Sequence, residues 1–406
     1  MAKAVGIFRQ IAYKKEANGQ WGQLPGASGA KSIRRVTGDF NLVKDAYESN
    51  EIRSDQQTAD YRHGVRSVEG SLSAELSPGS YADFMASILA RDFSVSGTAT
   101  GLTLAIAASG TNFTLTRSTG SFITDGFRVG QVVRITAGTG ADPVNLNNNL
   151  LIVSLTATIA TVQVLSRFAL VVQPSVTAAS MSAIGKTTYV PLTGHTNDSF
   201  TFENWYSDIA QSEVFTGLRP NSMSVSLPAT GLVTADFGFM GKNLEQTGTT
   251  RYFTSPSAAG TTGIFAAVQG AMIVNGQVGA CITSADFTID RAMEAAQCVG
   301  SNFASEIFTG RITASGNLSA YFSDGTLRDY FANETPVTLV IALTTSTEKN
   351  ADVISFVFGR VKFNGSSIAD AATGLVQSIP FTALLVGDNT SGLENTTVQI
   401  QDTTLV

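Results

Sequence analysis

The chain repeats itself in order. Residues 67–85 (SVEGSLSAELSPGSYADFM) and 313–331 (TASGNLSAYFSDGTLRDYF) align without a gap, with 7 of 19 positions identical. The identities are Gly70/Gly316, Leu72/Leu318, Ser73/Ser319, Ala74/Ala320, Ser77/Ser323, Gly79/Gly325 and Asp83/Asp329. ATGLV occurs at 229–233 and again at 372–376, and Asp39-Phe40 is echoed by Asp286-Phe287. The echoes keep their order, which marks a duplicated fold rather than coincidence. The duplication constrains the architecture: whatever one copy folds into, the chain must hold twice. Two similar parts in one chain suit a larger symmetric object.

Composition narrows the class. Apolar residues make up 43% of 406, so the chain can bury real cores and is not a disordered protein. Charged residues are only 14%, well under the usual share, and Ser, Thr, Asn and Gln supply the polar surface. That balance suits β-rich proteins whose surfaces are covered by copies of themselves. A net charge of −6 argues against broad nucleic-acid binding, which needs clustered Lys and Arg. Cys281 and Cys298 are too few for a disulfide framework; they flank one segment and are read as reduced thiols or at most one bridge. The start, MAKAVGIFRQIAYKKEANGQ, has no apolar core of signal-peptide length, and no run reaches the length of a membrane helix. Synthesis and assembly in a cytoplasm are expected.

The pattern along the chain is mainly β. Residues 1–30 read as a polar N-terminal arm, in which Trp21 and Leu24 stand alone among Gly, Ala and Pro and are expected to dock into a neighbouring subunit. In VTGDFNLVKD (36–45) apolar and polar residues alternate as in a half-buried strand. Residues 45–62 show no period and carry five acids and two arginines, which reads as a long functional loop. In the next strand Val68, Leu72, Ala74 and Leu76 share one face, with Glu69, Ser71, Ser73 and Glu75 on the other. Ser80 with Asp83, and Thr326 with Asp329, are expected to cap one short helix in each copy.

Residues 94–190 interrupt the first copy with short β-branched stretches and read as an inserted small β-module. Each copy closes with a hairpin carrying Ala-Thr-Gly at its turn. The expected organisation is an arm (1–30), a first domain (31–93 plus 191–245), the insertion (94–190), a linker (246–269) and a second domain (270–406). Each domain reads as a β-sandwich or flattened barrel with one flanking helix.

The chemistry of catalysis is missing from the sequence. His63 and His195 are the only histidines, and neither stands in a metal-ligand spacing. No nucleophile elbow, P-loop or zinc motif occurs, so no enzymatic activity, cofactor or metal is expected.

The segment LPGASGAKSIRRVTGDFNLVKDAYESNEIRSDQQTADYRHGVRSVEGSLSAELSPGSYADFMASILARDF (24–93) resembles the amino-terminal part of tail tube proteins of long-tailed, non-contractile bacteriophages. DIAQSEVFTGLRPNSMSVSLPATGLVTADFGFMGK (208–242) resembles a later segment of the same family. The resemblance implies a tube-wall fold whose inner sheets join between subunits into rings that stack. Six subunits form the ring where the domain is single, so two tandem domains imply a homotrimeric ring with pseudo-sixfold symmetry, with a hexamer as the alternative. It also implies a place in the virion tail and contact with tail terminator and tail tip proteins. Tape measure protein and transiting DNA would pass through the lumen without specific binding, and no membrane would be involved.

Within that picture Glu69, Ser71, Ser73 and Glu75 are the candidates for the lumen face, where negative charge keeps phosphate from sticking. Glu48, Glu51, Arg53, Asp55 and Arg62 are the candidates for ring-to-ring contact. Alternatives are a tail-tip or head–tail completion ring of the same fold, or a β-sandwich adhesin or carbohydrate-binding protein. The last would need exposed aromatic platforms, and the chain has only Trp21 and Trp205.

Overall fold

A computed structural model of the protein describes residues 3–278, 281–369, 374–387 and 392–406. The first repeat comprises β1 (Arg9–Lys15), β2 (Thr37–Glu48), β3 (Tyr61–Glu75) and α1 (Ala82–Ile88), then β4 (Phe200–Tyr206), β5 (Gln211–Leu227) and β6 (Thr234–Gly241). The second comprises β7 (Gly270–Val274), β8 (Ile282–Asp290), β9 (Thr313–Tyr321), α2 (Thr326–Ala332), β10 (Val337–Thr344), β11 (Val353–Phe363), β12 (Ser367–Ile368) and β13 (Val376–Leu384). A last strand, β14 (Gln399–Asp402), pairs with β11 and with Lys186–Tyr189. The fold is mainly β.

The two repeats share one topology. In the first, β2, β3, β6 and the distal half of β5 form one antiparallel layer, while β1, β4 and the proximal half of β5 form the other. In the second, β8, β9, β13 and β12 form one layer, and β7, β10 and β11 the other. β5 can serve both layers because a register shift between Pro220 and Ser222 bends it. The same one-residue shift separates Phe363↔Phe381 from Ser367↔Ser378 in the second repeat. Asn221 and Asn364 mark the matching place. The bulge was duplicated along with the strands.

Alternation fixes which side is buried. Phe40, Val68, Leu72, Ala74, Met223, Val225, Ala235 and Phe237 point between the layers of the first repeat and are all buried. Phe287, Ile289, Leu318, Phe356, Phe358, Ile379 and Phe381 do the same in the second. Phenylalanine rings pack on one another at tilted angles, as at Phe40–Phe202 (4.6 Å between centroids) and Phe287–Phe356 (5.0 Å). The core runs unbroken through both repeats.

Residues 98–183 close into a six-stranded barrel with its own core, including Leu104, Phe122, Phe127, Ile152 and Met181. The barrel leaves the chain after α1 of the first repeat but rests on the outer layer of the second. Val132, Leu151 and Val153 pack on Ile273, Val340 and Val357. Gln401 of β14 receives the Val132 amide at 2.6 Å and donates to the Val132 and Ile184 carbonyls at 3.0 and 2.7 Å.

Several expectations are corrected. The N-terminal arm is not detached: β1 pairs with β4 along its whole length and buries Ile11, Ala12 and Tyr13, three consecutive residues that a half-exposed strand pattern does not reveal. Residues 246–269 are packed rather than a free linker, because Phe253 and Phe265 are fully buried. The expected helix caps do not form. Tyr81 and Gly325 occupy the N-cap positions without side-chain bonds. Ser80 instead accepts from Ser77, Asp83 binds Tyr13 and Lys31, and Asp324 receives the Thr326 amide. Of the Ala-Thr-Gly turns, Ala229–Gly231 links β5 to β6, with φ +132° at Gly231; Ala372 and Thr373 lie outside the described residues.

Candidate functional site: a polar sheet face with two unpaired edges

The inner layers of the two repeats are one sheet. Ser222–Leu227 of β5 pair with Asp290–Ala285 of β8, so the strands run β2-β3-β6-β5-β8-β9-β13-β12 without a break. Each residue opposite another shares its face. One side faces the core. The other is a continuous polar surface: Asn41↔Glu69, Asp39↔Ser71, Ser73↔Asp236, Glu75↔Thr234, Ser226↔Asp286, Ser222↔Asp290 and Asn317↔Pro380.

Its side chains cross-link the strands. Ser73 donates to Asp236, the Ser224 and Thr288 hydroxyls meet at 2.8 Å, and Ser378 donates to Asn317 at 2.9 Å. Asp39, Glu69, Asp236, Asp286 and Asp290 are exposed on this face and Glu75 is half-buried. The register brings Arg360 and Lys362 to its far end only, where Lys362 is paired with Glu334 at 3.0 Å. Arg9 reaches the β2 edge, 3.5 Å from Asp39.

All four sequence candidates, Glu69, Ser71, Ser73 and Glu75, therefore lie together on one surface. Asp39, Asp236, Asp286 and Asp290 join them and were missed. Their signal was present in the alternation of TADFGF (234–239) and SADFTID (284–290), where each acid takes a polar slot. In the second repeat Ser315 and Tyr321 replace Glu69 and Glu75, and Asp286 and Asp290 of the neighbouring strand supply the charge instead.

The sheet ends in two edges. β2 pairs only with β3, and β12 only with β13, among the described residues. Unpaired edges of this kind are templates for strand addition.

The second feature is the β2–β3 hairpin. Its strands continue past the sandwich through Ala46↔His63 and Glu48↔Tyr61, so only residues 49–60 form the connection. The expected loop at 45–62 is thus shorter, because both faces of its flanking strands are solvated and leave no apolar period to read. The five contact candidates all sit on this hairpin: Glu48 in β2, Arg62 in β3, and Glu51, Arg53 and Asp55 at the tip. Arg53 grips Asp55 (2.8 Å) and holds its carboxyl below the usual carboxylate range, and Arg62 pairs with Asp60 (3.1 Å). Tyr47, Ile52 and Tyr61 are exposed beside them, Ile52 completely. The matching place in the second repeat holds a short hairpin, Glu294–Ala296 with Glu306–Phe308.

Trp21 docks, but into its own chain. Its indole Nε1 donates to the Gly217 carbonyl at 2.9 Å, with Arg219 and Lys242 against its ring. Gly217 lies at φ +74°, and a Cβ there would come within 2.9 Å of the indole nitrogen. The pocket is intramolecular because β1 ties the preceding residues to β4. Leu24 remains partly exposed.

Cys281 and Cys298 are both free and exposed. His63 packs edge-on against Tyr61 in the hairpin. Among the described residues no three metal-ligating side chains gather, and no helix is long and apolar enough to cross a membrane.

The polar, mostly acidic face thus lies on a sheet whose two outermost strands each leave one edge unpaired among the described residues. No curated protein matches the chain. The profile of the family described as phage tail tube protein matches residues 9–383, from the first strand of the first repeat to the last inner strand of the second. The chain belongs to the phage tail tube protein family.

Proposed function

We propose that the protein forms rings of three chains that stack into the tail tube, and that DNA passes through the tube during ejection. The observation that carries this reading is the continuous eight-stranded sheet. One covalent chain already contains two pseudo-equivalent sectors joined edge to edge, with one edge left over on each side. Repeating the junction joins chain to chain by the same contact, and closure removes every edge. Three chains then give six sectors, the number implied by the resemblance of each repeat to single-domain tubes.

The polar face lines the lumen in this arrangement, and the acids on it repel phosphate over about a Debye length, roughly 8 Å at physiological salt. Ser, Thr and Asn fill the other slots and present no cation to hold DNA. The β2–β3 hairpin projects past the sheet and contacts the next ring through its charged flanks and the apolar tip at Ile52. The barrel of residues 98–183 stands on the outer layer, away from the lumen face.

Native mass measurement of isolated rings, with negative-stain imaging of the purified protein, tests the reading. Three copies of 42.6 kDa give about 128 kDa, and hollow tubes are expected. Rings of twice that mass would replace three chains by six. Isolated rings that never stack would favour a tip or completion role, and monomers would end the proposal.

A further inference from the structure

The junction inside the chain specifies the junction between chains residue by residue. In the first repeat the outward edge residues of β5 are Ser222–Leu227; in the second, the shared bulge and the matching hairpin place residues 365–369 at the positions of Ser222–Ser226. Val214-Phe215, Asn221 and Ser224 correspond to Val357-Phe358, Asn364 and Ser367, a constant offset of 143. On the other side, Gly38↔Leu72 and Ala285↔Leu318 put Gly38, Asp39 and Phe40 of β2 on Ala285, Asp286 and Phe287 of β8, an offset of 247.

The internal seam pairs Ser224 with Thr288, Val225 with Phe287 and Ser226 with Asp286. Applying the two offsets gives Ser367 opposite Asn41, Ile368 opposite Phe40 and Ala369 opposite Asp39. We propose that β12 of one chain pairs antiparallel with β2 of a second copy in this register. The inference rests on the tube reading and deepens it.

The side chains suit the assignment. Ile368, 40% exposed in the single chain, lands on the core side against Phe40, as Val225 meets Phe287. Ser367 and Asn41 meet on the polar face, where Ser224 and Thr288 touch at 2.8 Å. Alternation makes the register strict, since a one-residue slip would turn Ile368 into the lumen and Ser367 into the core. Lys44 then occupies the place of Arg291, the cation that crosses the internal seam to the Ser87 carbonyl of α1.

The test is a cysteine pair, Asn41→Cys with Ser367→Cys, in a chain whose own exposed thiols are replaced (Cys281→Ser, Cys298→Ser). Oxidation of assembled particles should convert monomer into covalent dimer and trimer and stop there, because a closed ring has three seams. A control pair, Thr37→Cys with Ser367→Cys, lies four residues off register and should cross-link at least about ten-fold less, since a disulfide needs Cα atoms within about 7 Å. Preferential linking of the control pair would overturn the register. Tubes that link through neither pair would overturn the seam while leaving the tube reading standing. Monomers from the unsubstituted chain would end both.

Hydrogen exchange on the unsubstituted protein reads the same seam without mutation. Amides of 38–43 and 365–369 should gain protection on assembly, and unchanged exchange there in assembled tubes would refute the pairing.

Discussion

Arg291 shows how much one side chain can reveal about a junction. It is the largest fully buried side chain, 2% exposed, and its Nη1 donates to the Ser87 carbonyl of the opposite repeat at 2.8 Å. Burial, with Arg219 nearby, pushes its guanidinium down to about 10. Arg291→Ala leaves a cavity and an orphaned carbonyl, and should cost about 2–4 kcal/mol. Arg291→Met keeps the volume and sheds the desolvated charge, so it should cost less than half of that. Equal losses in denaturant melts would show that the guanidinium and its hydrogen bond, not its volume, govern the site.

Asp402 gives a pH dependence. Burial raises its carboxyl pKa despite bonds from the Gly79 amide (2.7 Å) and the Thr404 amide and hydroxyl (3.0 and 2.7 Å). The folded state therefore binds this proton more tightly than the unfolded chain. Stability is lost as pH rises from about 4, the unfolded value, through the raised value, and regained on acidification. The melting temperature of the natural protein minus that of Asp402→Asn should increase from pH 7 toward pH 4; a decrease would reject the assignment. None of this was legible in the sequence. A lone Arg or Asp looks alike in solvent and in a seam, and Trp21, readable as an anchor from its isolation, gave no sign that its pocket lay in its own chain.

At the scale of elements the legible part was the alternation, and its failures have causes. The strand 68–76 and its two faces could be read because one face is buried and the other wet. The hairpin strands through Glu48 and Tyr61 could not, because water bathes both faces. β1 was hidden because it buries three consecutive residues, Ile11, Ala12 and Tyr13, instead of alternating, and the helix caps by Ser and Asp side chains that bond elsewhere. The hairpin is also where function can be separated from folding. Its distal residues bury nothing, so replacing 49–60 by a two-residue turn should leave melting unchanged while abolishing stacking into tubes. Ile52→Asp alone should weaken stacking by putting a charge where the tip is apolar. Tubes of normal length from the shortened chain, seen by negative stain, would remove the hairpin from the ring contact.

For the whole molecule, the ordered repeat gave the duplicated architecture. It could not give the fusion of the two inner layers, since that depends on which edges meet in space. The fusion turns scattered acids into one surface, and the consequence for DNA can be tested where it acts. Glu69 and Glu75 carry no side-chain hydrogen bond or ion pair among the described residues, so reversing them to Lys changes the field and little else. In a ring of three chains, both reversals shift the lumen by about 12 charges and set six lysines into a face that otherwise carries acids, giving phosphate local cations to stick to. Tubes should form with unchanged mass and diameter. Particles carrying them should eject DNA more slowly, and added salt should restore the rate because screening weakens the attraction. Intact tubes with an unchanged, salt-independent ejection rate would place these glutamates outside the conduit. Failure to assemble would place them in a contact between subunits.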